Sequence, residues 1–232
     1  MDADSNRNFA PRGHDFTLSE ALKTWQWWAL WLLLFLNTCA GISVISQEAP
    51  LFQELTGVTA VVAASMVGLA SIGNAVGRVF WAWISDLITR RATFFVMFVA
   101  QVLLFWFFPN IVTASLMTIA TFVVLMCYGG GFGTMPAFAA DYFGPKNVGP
   151  IYGLMLTAWG FASVFGPLLI AHMRETGGSY RGALHVIAGV MAISALLPIL
   201  VRPPRTRDTG TTKTVSHPLP KEVPGIASRI RP

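Results

Sequence analysis

The sequence predicts an all-α integral membrane protein, a six-transmembrane-helix bundle with both termini cytoplasmic. Three observations predict it. Hydrophobic residues make up 54% of the 232-residue chain and charged ones 12%, about half the charge of an average soluble domain and too little to coat a water-soluble globule of this size. Asp, Glu, Lys and Arg are missing from five long stretches, 24–47, 55–77, 92–140, 147–173 and 182–201. The basic residues gather on alternate connections between those stretches.

A helix needs about 20 apolar residues to cross the hydrocarbon core. The first neutral run gives a span from Thr24 to Ser46, and the second, continued through Arg78, one from Val58 to Ile84. The longest run is two spans, Ala92 to Phe108 and Val112 to Ala139, divided at Pro109-Asn110, where proline and asparagine favour a turn. Pro150 to Met173 and Ala183 to Val201 complete the six. The ten-residue alternation of a membrane barrel is absent. Three regions result: a polar head over 1–23, a membrane domain over 24–201 and a basic, Pro-rich tail over 202–232. The head lacks the short apolar core and cleavage site of a signal peptide, so the first helix is an anchor. The tail cannot bury enough apolar surface to order itself.

With six spans both ends fall on one side. That side holds Arg7, Arg12, Lys23, Arg90, Arg91, Lys146 and the basic residues of the tail, against Arg174 and Arg181 opposite. Cytoplasmic loops retain Lys and Arg, which places the termini inside. The net charge of +5 is then a topology signal with some attraction to anionic lipid; no basic stripe interleaved with aromatics points to nucleic acid.

Arg78 is the one ionised side chain placed well inside a span. It precedes Asp86 by eight residues, about 12 Å along a helix, and burying a guanidinium there costs at least ~2.5 kcal/mol. Its planar fork of donors matches a carboxylate, which makes it an anion site; the alternative is an internal partner, backbone carbonyls or Asn74 one turn away. Asp86, followed by Arg90 and Arg91, forms an ion pair able to latch one cytoplasmic arrangement, or serves as ordinary positive-inside anchoring.

Other motifs carry less chemistry. The glycines from Gly129 to Gly133 follow no strand and lack the lysine of a P-loop. Small residues four apart, Gly73 with Gly77, Gly129 with Gly133 and Gly149 with Gly153, suit close helix packing in lipid. Pro136 and Pro167 predict kinks, and Trp25, Trp27 and Trp28 an interfacial belt. Cys39 and Cys127 read as small hydrophobes, and His172 and His185 as loop residues without metal-ligand spacing. No catalytic grouping, metal site or cofactor is expected.

The run Gly77-Arg78-Val79-Phe80-Trp81-Ala82-Trp83-Ile84-Ser85-Asp86, followed by Arg90-Arg91, resembles the helix-and-loop signature in the second half of the major facilitator superfamily. Asn37-Thr38-Cys39-Ala40-Gly41, Gly129 to Pro136 leading to Asp141-Tyr142-Phe143-Gly144, Tyr152-Gly153-Leu154 and Gly166-Pro167 are similar to its oxalate/formate antiporter branch. The resemblance covers Thr17 to Val201 and is to the C-terminal six helices of a twelve-helix carrier. Its first, second, fourth and fifth helices line a central cavity, and the third and sixth face lipid. This implies Arg78, Asn37, Asn74, Tyr128 and Trp159 as substrate-binding residues and Asp86, Arg90 and Arg91 as a gate, and sets Gln101 on the third span aside. The chain departs at Ala82 and Thr89, where the family has glycine. It departs again at Thr157-Ala158-Trp159-Gly160, where oxalate-carrying relatives have a second basic residue. One arginine suits a monocarboxylate better than oxalate.

The expected function is the C-terminal half of a secondary transporter for a small organic anion in the cell membrane, the inner membrane of a bacterium. It would act beside an N-terminal six-helix half or a second copy. A truncated, non-transporting fragment and a membrane interaction protein acting through its basic tail are the alternatives.

Overall fold

The computed structural model describes residues 15–204; the first part of the head, 1–14, and the tail from 205 onward lie outside them. After a short helix α1 (Leu18–Leu22) come six apolar spans, and no strand occurs among the described residues. They are α2 (Trp25–Thr56), α3 (Ala60–Leu87), α4 (Arg90–Phe107) with a 3-10 turn over Phe108–Asn110, α5 (Ala114–Phe143), α6 (Val148–Met155) with α7 (Thr157–Gly177), and α8 (Tyr180–Ser194) with α9 (Leu197–Leu200). The turn at Pro109-Asn110 divides the longest neutral run where the sequence places it. Hydroxyls of Thr24, Thr59, Thr89 and Ser179 accept from first-turn amides, supplying partners that a helix start otherwise lacks.

The first span does not stop at Ser46. It runs on through Glu48, Pro50 and Glu54 to Gly57, whose φ of 69° ends it. Charge did not break the helix because Glu48 is buried and Glu54 is paired with Arg174. At 32 residues α2 is about 48 Å long, well over the ~30 Å hydrocarbon core. The helices continue through Pro136 and Pro167, and the fifth span is interrupted at Leu156.

The closest packing in the bundle is between α3 and α5. A methyl group added at Gly73 would strike the carbonyl of Phe122, at Gly77 that of Met126, at Gly129 that of Asn74 and at Gly133 that of Arg78. Two stripes of glycine four residues apart therefore lay backbone against backbone, which in lipid replaces the missing hydrophobic drive with van der Waals contact. The expected third pair behaves differently: a side chain at Gly149 or Gly153 meets nothing within 4 Å. Those glycines lie on an open side of α6, with no helix close enough to need them.

The remaining spans close around this pair. Gly166 of α7 abuts Cys39 and Ser43 of α2, and α4 packs on α8. Phe94, Phe98, Phe105, Phe138 and Phe143 are fully buried between them. Trp27 is not part of an exposed belt with Trp25 and Trp28; it is 2% exposed, and its indole N–H donates to the Ile151 carbonyl. The second and fifth spans are the least enclosed, 28% buried against 44% for the third and sixth.

Both described ends of the chain meet at the end of α5. The Phe16 amide donates to the Phe143 carbonyl at 2.9 Å and the Tyr142 hydroxyl to the Val201 carbonyl at 3.0 Å. We call this the terminal end and the opposite one the loop end.

Replacing Gly77 by leucine is expected to force α3 and α5 apart at a cost of about 1–3 kcal/mol, lowering the SDS concentration at which the purified protein unfolds. Gly153→Ala, where space is open, should change that midpoint by less than about 0.5 kcal/mol.

Candidate functional site

The glycine seam sets the position of Asn74 and Arg78, one helical turn apart on α3, beside Gly129 and Gly133 of α5. Arg78 is exposed on the open side of the bundle, and among the described residues no carboxylate pairs with it. Its guanidinium carbon lies 5.4 Å from the centre of the Phe132 ring, a cation–π distance. Phe132 stacks edge-on against Tyr128 at 5.2 Å and faces Trp159 at 6.4 Å. The Trp159 indole N–H donates to the Tyr128 hydroxyl at 3.2 Å. Arg78, Tyr128, Phe132 and Trp159 thus form one patch drawn from the second, fourth and fifth spans, a cation on an aromatic wall. Asn74, one turn away, keeps its carbonyl oxygen Oδ1 buried without a partner against Gly129 in the seam.

The interruption of the fifth span belongs to this patch, since α7 starts two residues before Trp159. Irregular backbone at membrane depth is tolerated where it is buried in protein or lines a cavity. Here Thr157 Oγ1 accepts from the Trp31 indole at 2.9 Å and donates to the Leu154 carbonyl at 2.7 Å.

Asn37 makes its hydrogen bonds outside the patch. It is fully buried; its Nδ2 donates to the Cys127 carbonyl at 3.2 Å and its Oδ1 accepts from Gln101 Nε2 at 2.9 Å. Gly131 leaves room for it, because a Cβ there would collide with the Asn37 amide. Gln101, which the resemblance placed toward lipid, is turned fully inward because Asn37 supplies it with a buried acceptor. The pair ties the first, third and fourth spans.

The expected gate residues separate into two groups at the terminal end. Arg90 meets Asp86 at 2.6 Å and Asp141 at 3.1 Å, and also donates to the Ser85 hydroxyl. Arg91 instead donates to the carbonyls of Pro198 and Ile199 at 2.8 and 2.6 Å, fixing the end of the sixth span. Asp141 was missed as a partner of Arg90 because 51 residues separate them. Phe132 has no polar atom, and nothing in the sequence sets it apart from the other apolar residues of its span. Among the described residues no group of three His, Cys, Asp or Glu could hold a metal ion.

The sequence model of the Major Facilitator Superfamily matches residues 30–228. The chain belongs to that family. Members of the superfamily are membrane-embedded transporters of small molecules, and the six-helix bundle is one half of their fold. The chain is 31% identical over 156 residues to the oxalate:formate antiporter of Oxalobacter formigenes, a match covering 66% of the chain and 37% of the relative. It is 29% identical over 155 residues to YhjX of Escherichia coli strain K12, an uncharacterised transporter of the superfamily, covering 65% and 38%. To the apicoplast pyruvate carrier 1 of Toxoplasma gondii it is 28% identical over 198 residues, covering 81% and 36%. The matched part therefore spans a little over a third of each of these superfamily transporters.

Asn37→Ala removes two buried hydrogen bonds and leaves Gln101 Nε2 only its longer bond to the Met97 carbonyl, at 3.4 Å, so it should destabilise the bundle by about 1–3 kcal/mol, read as a lower unfolding midpoint in SDS. Arg78→Gln, which breaks no hydrogen bond of the fold, should leave that midpoint nearly unchanged.

Proposed function

We propose that the chain forms the C-terminal six-helix half of a secondary carrier that moves a small monocarboxylate by alternating access, with Arg78 as the anion site. The observation that carries this reading is an arginine inside a span, without an acidic partner among the described residues and backed by an aromatic wall. A single guanidinium offers the bidentate donors that one carboxylate accepts. Tyr128 and Trp159 shape the wall, and Asn74 stands one turn from Arg78 with its Oδ1 held against Gly129 in the seam. Asn37, in this reading, acts on the site by holding the spans that carry it. Relatives named for oxalate, formate and pyruvate support the substrate class, and Trp159, where a second cation would serve oxalate, favours a single negative charge.

Arg78 facing lipid would be costly, so the open side formed by the second and fifth spans is a surface to be covered. A carrier rocking about a midplane site uses two such bundles, and an N-terminal six-helix half or a second copy of this chain fits. The excess of Lys and Arg supports a cytoplasmic terminal end, with the chain in the inner membrane where the host is a bacterium. There Asp86, Arg90 and Asp141 act as the gate, with Arg91 anchoring the sixth span beside it. The head over 1–23 and the tail over 202–232 flank the membrane domain.

The test is exchange of radiolabelled pyruvate and formate in proteoliposomes holding this chain with and without an N-terminal half. Arg78→Gln should abolish exchange and Arg78→Lys should restore only part of it, because an ammonium lacks the bidentate fork. Unchanged exchange in Arg78→Gln removes Arg78 from the mechanism. Trp159→Lys, by adding a second cation, should shift the preference from pyruvate toward oxalate.

A further inference from the structure

Glu48 takes no part in the patch around Arg78. It is 2% exposed, its Oε1 is buried without a hydrogen-bond partner, and among the described residues no ion pair reaches it. Val44, Leu51 and Phe52, on the same side of α2, are fully buried. Taking a carboxylate out of water costs several kcal/mol unless a cation or donors replace the lost hydration, whereas the neutral acid is far cheaper to bury.

The elements packed against α2 bring no compensating charge. The loop-end halves of α3 and α5 hold no Asp, Glu, Lys, Arg or His. At its far end α7 brings His172, Arg174 and Glu175, of which Arg174 is engaged by Glu54. Tyr180, Arg181 and His185 come from α8; the Tyr180 hydroxyl donates to Gln47 at 2.8 Å, and the His185 ring lies 5.0 Å from that of Trp106 on α4.

Two further features make this region able to open. Pro50 has no N–H to offer the carbonyl of Ser46, so the turn that carries Glu48 lacks one backbone bond. Beyond it the end of α2 is fastened through Glu54, which accepts from Arg174 at 3.2 Å and from the Tyr180 amide at 3.1 Å. With 48% of the Arg174 side chain exposed, that ion pair is screened by water and weak.

We propose that Glu48 is a proton-binding site that governs closure of the loop end, a reading that rests on the carrier assigned above. With Glu54 and Arg174 engaged, Glu48 is a neutral acid whose proton has come from hydronium in the adjoining water. When α2 swings outward beyond Pro50, water reaches the carboxyl, its O–H bond breaks, the proton passes to water and the carboxylate is hydrated. Closing again requires the proton back, so acid on the loop-end side speeds the closing step.

The test is the initial rate of radiolabelled pyruvate uptake by the full chain, with its N-terminal half where exchange requires one. The pH is varied on the loop-end side alone, across a range in which pyruvate stays ionised. The wild-type rate should fall as pH rises, by up to about tenfold per unit for one titrating proton. Glu48→Gln, which mimics the neutral acid, should show no such slope; a wild-type slope in that variant, or a flat wild type, overturns the proposal. Infrared spectra give a second readout: wild type should show a protonated-carboxyl stretch that titrates and is missing from Glu48→Gln. Absence of that band in wild type also overturns the proposal. If wild type carries no pyruvate at any pH the carrier reading fails, and the infrared titration then decides the proton site by itself.

Discussion

The backbone contact between α3 and α5 is the constraint from which the rest of the bundle follows. Two helices can touch main chain to main chain only where neither carries a Cβ at the contact, and Gly73, Gly77, Gly129 and Gly133 meet that condition from both sides. The register is fixed as a result, since sliding either helix by one residue would drive a side chain into a carbonyl. With the register fixed, Arg78 has one position available, level with Gly133 and over Phe132. An apolar seam of larger side chains would hold the helices together equally well but farther apart, and would separate the guanidinium from its aromatic wall.

Around that rigid pair, buried hydrogen bonds decide which spans move together. The Asn37–Gln101 pair binds the first, third and fourth spans inside the bundle. At the terminal end, Arg90 and Arg91 bind the second, third, fourth and sixth spans through carboxylates and carbonyls. The loop end has less holding it, chiefly the cluster of Glu54, Arg174, Tyr180 and Gln47. Fastening is therefore unequal between the two ends, and the stronger end is the one where the chain's described ends also meet.

Much of the fold was legible in the sequence because bilayers penalise charge so heavily that the absence of ions alone marks the spans. The same rule misled at the end of α2, where Glu48 and Glu54 looked like a boundary; a buried acid and a paired one do not stop this helix. Gly73, Gly77, Gly129 and Gly133 could be read as packing residues from spacing, but so could Gly149 and Gly153, and only the position of neighbouring helices separates the two cases. Within the candidate site, Arg78 was visible as an isolated charge, and Tyr128 and Trp159 as polar aromatics near it. Phe132 has no polar atom to draw attention, and its role comes from lying between them. Gln101 was set aside because its helix was expected to face lipid. That assigns a whole helix to one environment, whereas a helix has two sides.

The break at Leu156 has one more consequence. By ending α6 and starting α7 inside the fifth span, the chain creates a helix N-terminus within the membrane rather than at its surface. The break is slight: Leu156 keeps helical angles, its amide still donates to the Tyr152 carbonyl, and its own carbonyl accepts from Trp159 and Gly160. The facing dipole ends of α6 and α7 therefore largely cancel, and the break adds little charge of its own. What it changes is direction, because Trp159 sits in the first turn after it and the side of the span that carries the indole is set there. A substitution in that turn moves the aromatic wall by changing where the helix begins.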